Sequence, residues 1–156
     1  MRTFFSLILI ALFTISCKTI TDQQKTEIAN QFRNKIESSE YSFIPQTALP
    51  MGGQSISLNY SYSLKVSKDT INAYLPYYGR AYTAPSPSEE GGIKFISTDF
   101  KYNLSKEKNG SWDATIDIAD NQKRYKLILK LSDSGYATLS VQDNNRQPIS
   151  FYGKIE

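Results

Sequence analysis

From Tyr41 to the C terminus the chain alternates apolar and polar residues with period two, and turn-forming residues cut the alternation at short intervals. The longest run sets Ile56, Leu58, Tyr60, Tyr62, Leu64 and Val66 against Ser57, Asn59, Ser61, Ser63 and Lys65. Successive side chains of a strand point to opposite faces, so such a run has one face to bury and one to leave in water. Trp112, Ala114, Ile116 and Ile118 repeat the pattern, as do Tyr125, Leu127, Leu129 and Leu131, and then Ala137, Leu139 and Val141. Lys68-Asp69, Asn109-Gly110, Ser134-Gly135 and Asp143-Asn144-Asn145 supply the turns between them, and Asn-Gly is a strong hairpin signal. Closely spaced turns predict an antiparallel meander of seven to nine strands. A sheet of that size hides its apolar face by curling or closing on itself, because short connections leave no room for crossover helices.

Ahead of the strands the period is four. Ile28, Phe32 and Ile36, widened by Ala29, form a narrow apolar stripe among Gln, Asn, Lys and Glu. Thr21 or Asp22 caps a helix running to about residue 39. Its stripe suits docking on a sheet but not burial all round. The expected fold class is therefore α+β and mainly β, with an N-terminal helix packed on a curled or closed, barrel-like antiparallel meander.

The first 17 residues carry a different message. Arg2 supplies a positive start, residues 4–15 are an apolar run of signal-peptide length, and Ser16 precedes the only cysteine, Cys17. That run is short for a bilayer span. The expected organisation is a lipoprotein signal peptide at 1–16, lipidated Cys17 with a tether at 17–21, and a single domain at 22–156. Thr14 stands where a lipobox has Leu, and an ordinary secretory signal or an uncleaved anchor are the alternatives. Acyl chains on Cys17, including palmitate, would hold the protein on a membrane, since each buried methylene contributes about 0.8 kcal/mol. A tether this short reaches only about 14 Å. Few acidic residues follow Cys17, so the expected place is the cell envelope, lipid-anchored at the outer membrane and facing the periplasm.

Composition narrows the chemistry. Eighteen basic residues against 15 acidic ones, scattered along the chain, give little reason to expect a nucleic-acid partner. With no histidine, Ser-His and Cys-His catalysis and His-ligated zinc are excluded. One cysteine allows no internal disulfide. Asp113, Asp117 and Asp120 recur near one hairpin, but two of them fall on a polar strand face and read as solvated charge. Neither a calcium loop nor an acid/base pair is recognisable. The expectations are no enzyme activity, no cofactor and no metal.

Two stretches are distinctive. One is Ala73-Tyr74-Leu75-Pro76-Tyr77-Tyr78-Gly79-Arg80-Ala81-Tyr82, followed by Glu90-Gly91-Gly92-Ile93-Lys94-Phe95. The other is Asn145-Arg146-Gln147-Pro148-Ile149-Ser150-Phe151-Tyr152-Gly153. Together they resemble the uncharacterised envelope proteins of Bacteroidota grouped as domain of unknown function 4251, over about residues 41–155. The resemblance implies a small exported domain, often lipid-anchored, with no assigned activity, and it supplies no functional residues to carry over. Tyr78 stands where that family is expected to have Phe, and Pro148 interrupts a stretch expected to be apolar.

Tyr74, Tyr77, Tyr78, Arg80 and Tyr82 are the candidate binding residues. Flat rings with hydroxyls beside a cation suit sugars, peptides or apolar molecules with polar ends. The structural alternative is that Pro76 and Gly79 shape a turn, Arg80 pairs with Glu89 or Glu90, and the tyrosines plug a barrel end. Tyr60, Tyr62, Tyr102, Trp112 and Tyr125 lie in the apolar register and either line a cavity or fill it. Asp69-Thr70-Ile71 resembles the O-glycosylation acceptor of Bacteroidota, which marks Thr70. The leading expectation is a non-catalytic envelope domain binding a ligand or an envelope protein. A lipocalin-like carrier of a small apolar molecule comes next, and a carboxylate-dependent hydrolase is a distant third.

Overall fold

The computed structural model describes residues 22–59, 61–83, 91–107, 110–120 and 123–156. Helix α1 (Asp22–Glu37) leads into β1 (Tyr41–Pro50), β2 (Ile56–Ser57), β3 (Ser63–Val66), β4 (Ile71–Leu75) and β5 (Ile93–Ser97). Then follow β6 (Phe100–Lys106), β7 (Ser111–Asp120), β8 (Lys123–Ser132), β9 (Tyr136–Asp143) and β10 (Arg146–Ile155). Nine strands form one antiparallel path, β5-β4-β3-β1-β10-β9-β8-β7-β6, with two-residue β2 paired on β1. The mainly β, barrel-like meander that the alternation predicts is the fold.

The path is closer to a closed ring than its order suggests. Eight successive antiparallel pairings separate β5 from β6, so the two run in the same sense, and only Thr98 and Asp99 part them in the chain. Residues 93–106 are thus one bent stave, whose first half pairs with β4 and whose second half pairs with β7. The Ser97 hydroxyl, 3% exposed, locks the bend by donating to the Asp99 carbonyl at 3.1 Å and accepting from its amide at 3.2 Å. Taking β2 with β3 and β5 with β6, the molecule is an eight-stave up-and-down barrel, in which β10 pairs with β1 to complete the circuit. Barrels of this size have interiors that side chains can fill.

Three of the strands are interrupted, and prolines account for two of the breaks. In β1 the register with β10 slips between Pro45 and Thr47. Gln46 is the extra residue, and it switches the buried parity from Tyr41, Phe43 and Pro45 to Ala48. Proline has no amide to donate, so a bulge is where a sheet tolerates it. Pro148 does the same in β10, where pairing with β9 slips between Arg146 and Ile149. The run at 56–66 is not one continuous strand: β2 and β3 pair with β1 three residues out of step, and the chain between them leaves the ladder. Tyr62, expected inside, therefore sits outside, stacked on outward-facing Tyr74 at 5.4 Å between ring centres.

The helix docks through its second half only. Ile36 is wholly buried, and the Phe32 ring lies over the β8–β9 turn. There a methyl on Gly135 (φ +81°) would sit 2.5 Å from the ring. Ile28, expected to dock with them, is 42% exposed, because one narrow stripe meets the barrel only where the helix turns into β1. The helix ends in a Schellman arrangement: Glu40 donates to the Lys35 carbonyl at 3.2 Å and Ser39 to that of Ile36 at 3.1 Å. Ser39 takes the left-handed position at φ 57°, where glycine is usual.

Candidate functional site

The barrel interior decides where a site can be. Inward side chains from seven of the staves, among them Phe43, Leu64, Leu75, Ile116, Leu129, Leu139 and Phe151, are at most 5% exposed. A hollow wide enough for water would leave accessible surface on its lining, so there is none against these groups. Trp112 and Tyr125 fill space rather than frame it. The exception is the bent stave. Phe95, Phe100, Tyr102 and Leu104 face inward yet are only half-buried. The Phe95 ring stacks on Tyr125 at 4.7 Å, and the Tyr102 hydroxyl lies 3.4 Å from that of buried Tyr41. Tyr60 lies outside the described residues.

At the end of the barrel away from the helix, the tyrosine-rich segment is laid along the β9–β10 hairpin. Gln147 donates to the Arg80 carbonyl at 3.0 Å, and Tyr82 donates to the Asn145 carbonyl at 2.8 Å. The Arg80 amide donates to Gln147 Oε1 at 3.2 Å. Residues 80–82 thereby extend the sheet by one bridge, Ala81 to Arg146. They occupy the flank of β10 that β1 leaves free beyond Pro50.

Arg146 is the pivot of this arrangement. Its side chain is buried, with Nε 3.5 Å from the Asp143 carboxylate and Nη1 donating to the Gly92 carbonyl at 3.0 Å. Its guanidinium lies 5.2 Å from the centre of the Tyr77 ring. Cation–π contacts gain strength when desolvated, as this one is. The Tyr77 hydroxyl lies 2.9 Å from the Arg80 carbonyl and 3.1 Å from that of Gln147, and shares its proton between them. Burial raises its pKa above the ordinary tyrosine value, with the nearby Arg146 charge opposing.

The five candidate residues are thus split. Tyr77 and Tyr78 are half-buried and packed against the core. The Arg80 side chain is exposed and Tyr82 is 63% exposed. Tyr74 is elsewhere, on the outer wall, with the Lys94 ammonium 5.2 Å from its ring centre. Glu89 and Glu90 lie outside the described residues, as does Cys17. Thr70 is half-exposed in the four-residue β3–β4 connection, its hydroxyl 3.2 Å from the Asp69 carboxylate.

On the other side of the same hairpin is a groove of about 520 Å³, with Asp117, Arg124, Lys126, Gln142, Asn144 and Pro148 in its walls. Lys126 is 3.5 Å from Asp117 across the β7–β8 ladder. Asp113 and Asp117 face Lys130 and Lys126 in the pairing, as solvated carboxylates on a polar face should. Among the described residues no three Cys, Asp or Glu side chains gather as a metal site.

A family model described as a domain of unknown function (DUF4251) matches residues 23–155 of the 156-residue chain. The chain belongs to the DUF4251 family. A crystal structure of a DUF4251 family protein from Bacteroides eggerthii DSM 20697 has the same fold, with a TM-score of 0.60 at 15% identity, over 85% of this chain and 91% of that one. A comparison with curated proteins finds no match. In this DUF4251 chain the sequence resemblance, carried by residues 73–82 and 145–153, falls on the two segments that the structure joins at Arg146. Sequence reading passed over Arg124, Lys126, Gln142 and Asn144, because polar residues on alternate positions look like any wet strand face. Only their place around a concave hairpin end sets them apart.

Proposed function

We propose that this DUF4251 protein is a non-catalytic envelope lipoprotein, held at the membrane by lipid on Cys17. It binds a ligand or an envelope protein on the outside of the barrel end where residues 80–82 meet the β9–β10 hairpin. One observation carries the reading: the barrel is closed to water along most of its interior, while a groove lies outside it, on the side of that hairpin opposite residues 80–82. The absence of catalysis is supported by the carboxylates there, since Asp117 and Asp143 are each taken up by a basic partner.

A carrier role has one observation in its favour, the half-buried rings of Phe95, Phe100 and Tyr102 along the bent stave. An apolar molecule of modest size would lie against them. Glycosylation of Thr70 is supported by its turn position and is checked by mass spectrometry of the protein from its native envelope.

The test of the leading reading uses Arg80→Ala and Tyr82→Ala in the full-length chain. Both side chains are exposed, so the melting temperature should stay within about 2 °C of the parent, while the variants fail to restore a phenotype caused by deleting the gene. Full restoration by both would refute this surface.

A further inference from the structure

We infer that the hairpin-end groove takes a carboxylate-bearing saccharide, an inference that rests on the surface-binding reading above and narrows it to a ligand class. Among the described residues two acidic side chains reach the groove, and both are paired from within: Asp117 with Lys126 at 3.5 Å and Asp143 with Arg146 at 3.5 Å. Arg124 also lines the groove, is exposed, and its guanidinium makes no ion pair or hydrogen bond among the described residues. A guanidinium in that state presents five donors in a planar fork, the geometry that matches a carboxylate.

Beside it, Gln142 and Asn144 offer carboxamides, each with a donor end and an acceptor end. Paired hydroxyls of a sugar need both at once. Apolar atoms contribute more of the lining than polar ones, but no large apolar side chain stands free among the described lining residues: Ile118 and Tyr125 are buried beneath the floor, and Ala119 and Pro148 are exposed. A peptide ligand would need an apolar socket for an anchoring side chain, and among the described lining residues the exposed apolar groups are only Ala119 and Pro148. Pyranose rings lie on shallow flat faces instead. Across the hairpin tip the ring of Tyr82 is 63% exposed, on a segment bonded to Asn145, the residue after Asn144. Exposed Arg80 is on the same segment, so the surplus of positive charge continues from the groove onto the rim. A volume of about 520 Å³ is within the usual size of small-ligand sites.

The experiment titrates the folded domain with trigalacturonate and, separately, with its fully methyl-esterified form, following backbone amide shifts. The acid should move amides of Arg124, Gln142 and Asn144, and affinity should fall as salt is raised. The ester, which keeps the shape and loses the charge, should bind more weakly by at least about ten-fold, as should the acid to Arg124→Gln. Lys130→Gln, an exposed cation on the same strand outside the groove, should leave affinity unchanged. Equal binding of acid and ester would overturn the acidic class while leaving a binding surface in place. No shift in the groove with either sugar, or full affinity in Arg124→Gln, would overturn the site.

Discussion

Ser39 carries a conformational cost that the fold imposes on it. The Schellman arrangement requires a left-handed residue after the helix, and a side chain there costs about 1–2 kcal/mol before compensation. Part of that is regained because glycine loses more entropy on folding. Ser39→Gly is therefore expected to stabilise the domain by about 0.5–1 kcal/mol, read as a higher urea midpoint with an unchanged slope. Gly153 is the opposite case, since a methyl there would overlap the carbonyl oxygen of Ile44 on the adjacent strand. Tyr41 gives a pH signature. Desolvation by burial raises its pKa well above the model-compound value of 10.0, with the neighbouring Tyr102 adding in the same direction. The folded state thus holds this proton more tightly than the unfolded chain does. The associated stability is fully present below about pH 10 and is lost as the pH climbs through the folded value. Urea melts from pH 8 to 11.5 should show the parent losing stability relative to Tyr41→Phe only above about pH 10.

At the level of elements, the alternation made most of the strands legible, because period two is a direct consequence of the pleat. Trp112, Ala114, Ile116 and Ile118 are all buried, as the alternation requires. What it did not reveal were the places where the ladder slips. A bulge adds one residue without changing composition, so the parity switches after Gln46 and near Pro148 are invisible to a pattern count. The break between β2 and β3 misled in the same way and moved Tyr62 from core to surface. The bent stave was legible as two runs, but not as one strand serving two neighbours, since that depends on pairings at long sequence separation. For the helix, the four-residue stripe placed Phe32 and Ile36 correctly and Ile28 wrongly, because periodicity says which face is apolar and not how far the partner extends. Phe32→Ala should cost about 2 kcal/mol, less than a fully buried ring would. Ile28→Ala should stay within about 0.5 kcal/mol, a contrast readable from paired denaturant melts.

On the scale of the whole molecule, the barrel has its ends put to different uses. The helix docks at one. The other is built from the tyrosine-rich segment and the β9–β10 hairpin, cross-tied by Arg146 to Asp143, Tyr77 and Gly92. The sequence pointed at this segment through its density of tyrosines, and about half of that richness is architectural. Tyr77 is spent on backbone carbonyls, and Tyr74 belongs to the outer wall, which leaves Arg80 and Tyr82 exposed. The groove behind the hairpin was not legible, because its residues become neighbours only when β7, β8 and β9 are side by side. Away from the bent stave the barrel interior is packed with side chains, which supports the proposal of an external binding surface. Xenon enters apolar cavities that stay dry, which makes a xenon-pressurised crystal the most direct test. No xenon site is expected among Phe43, Trp112, Leu129 and Phe151. An ordered xenon atom enclosed by those side chains would contradict this packing.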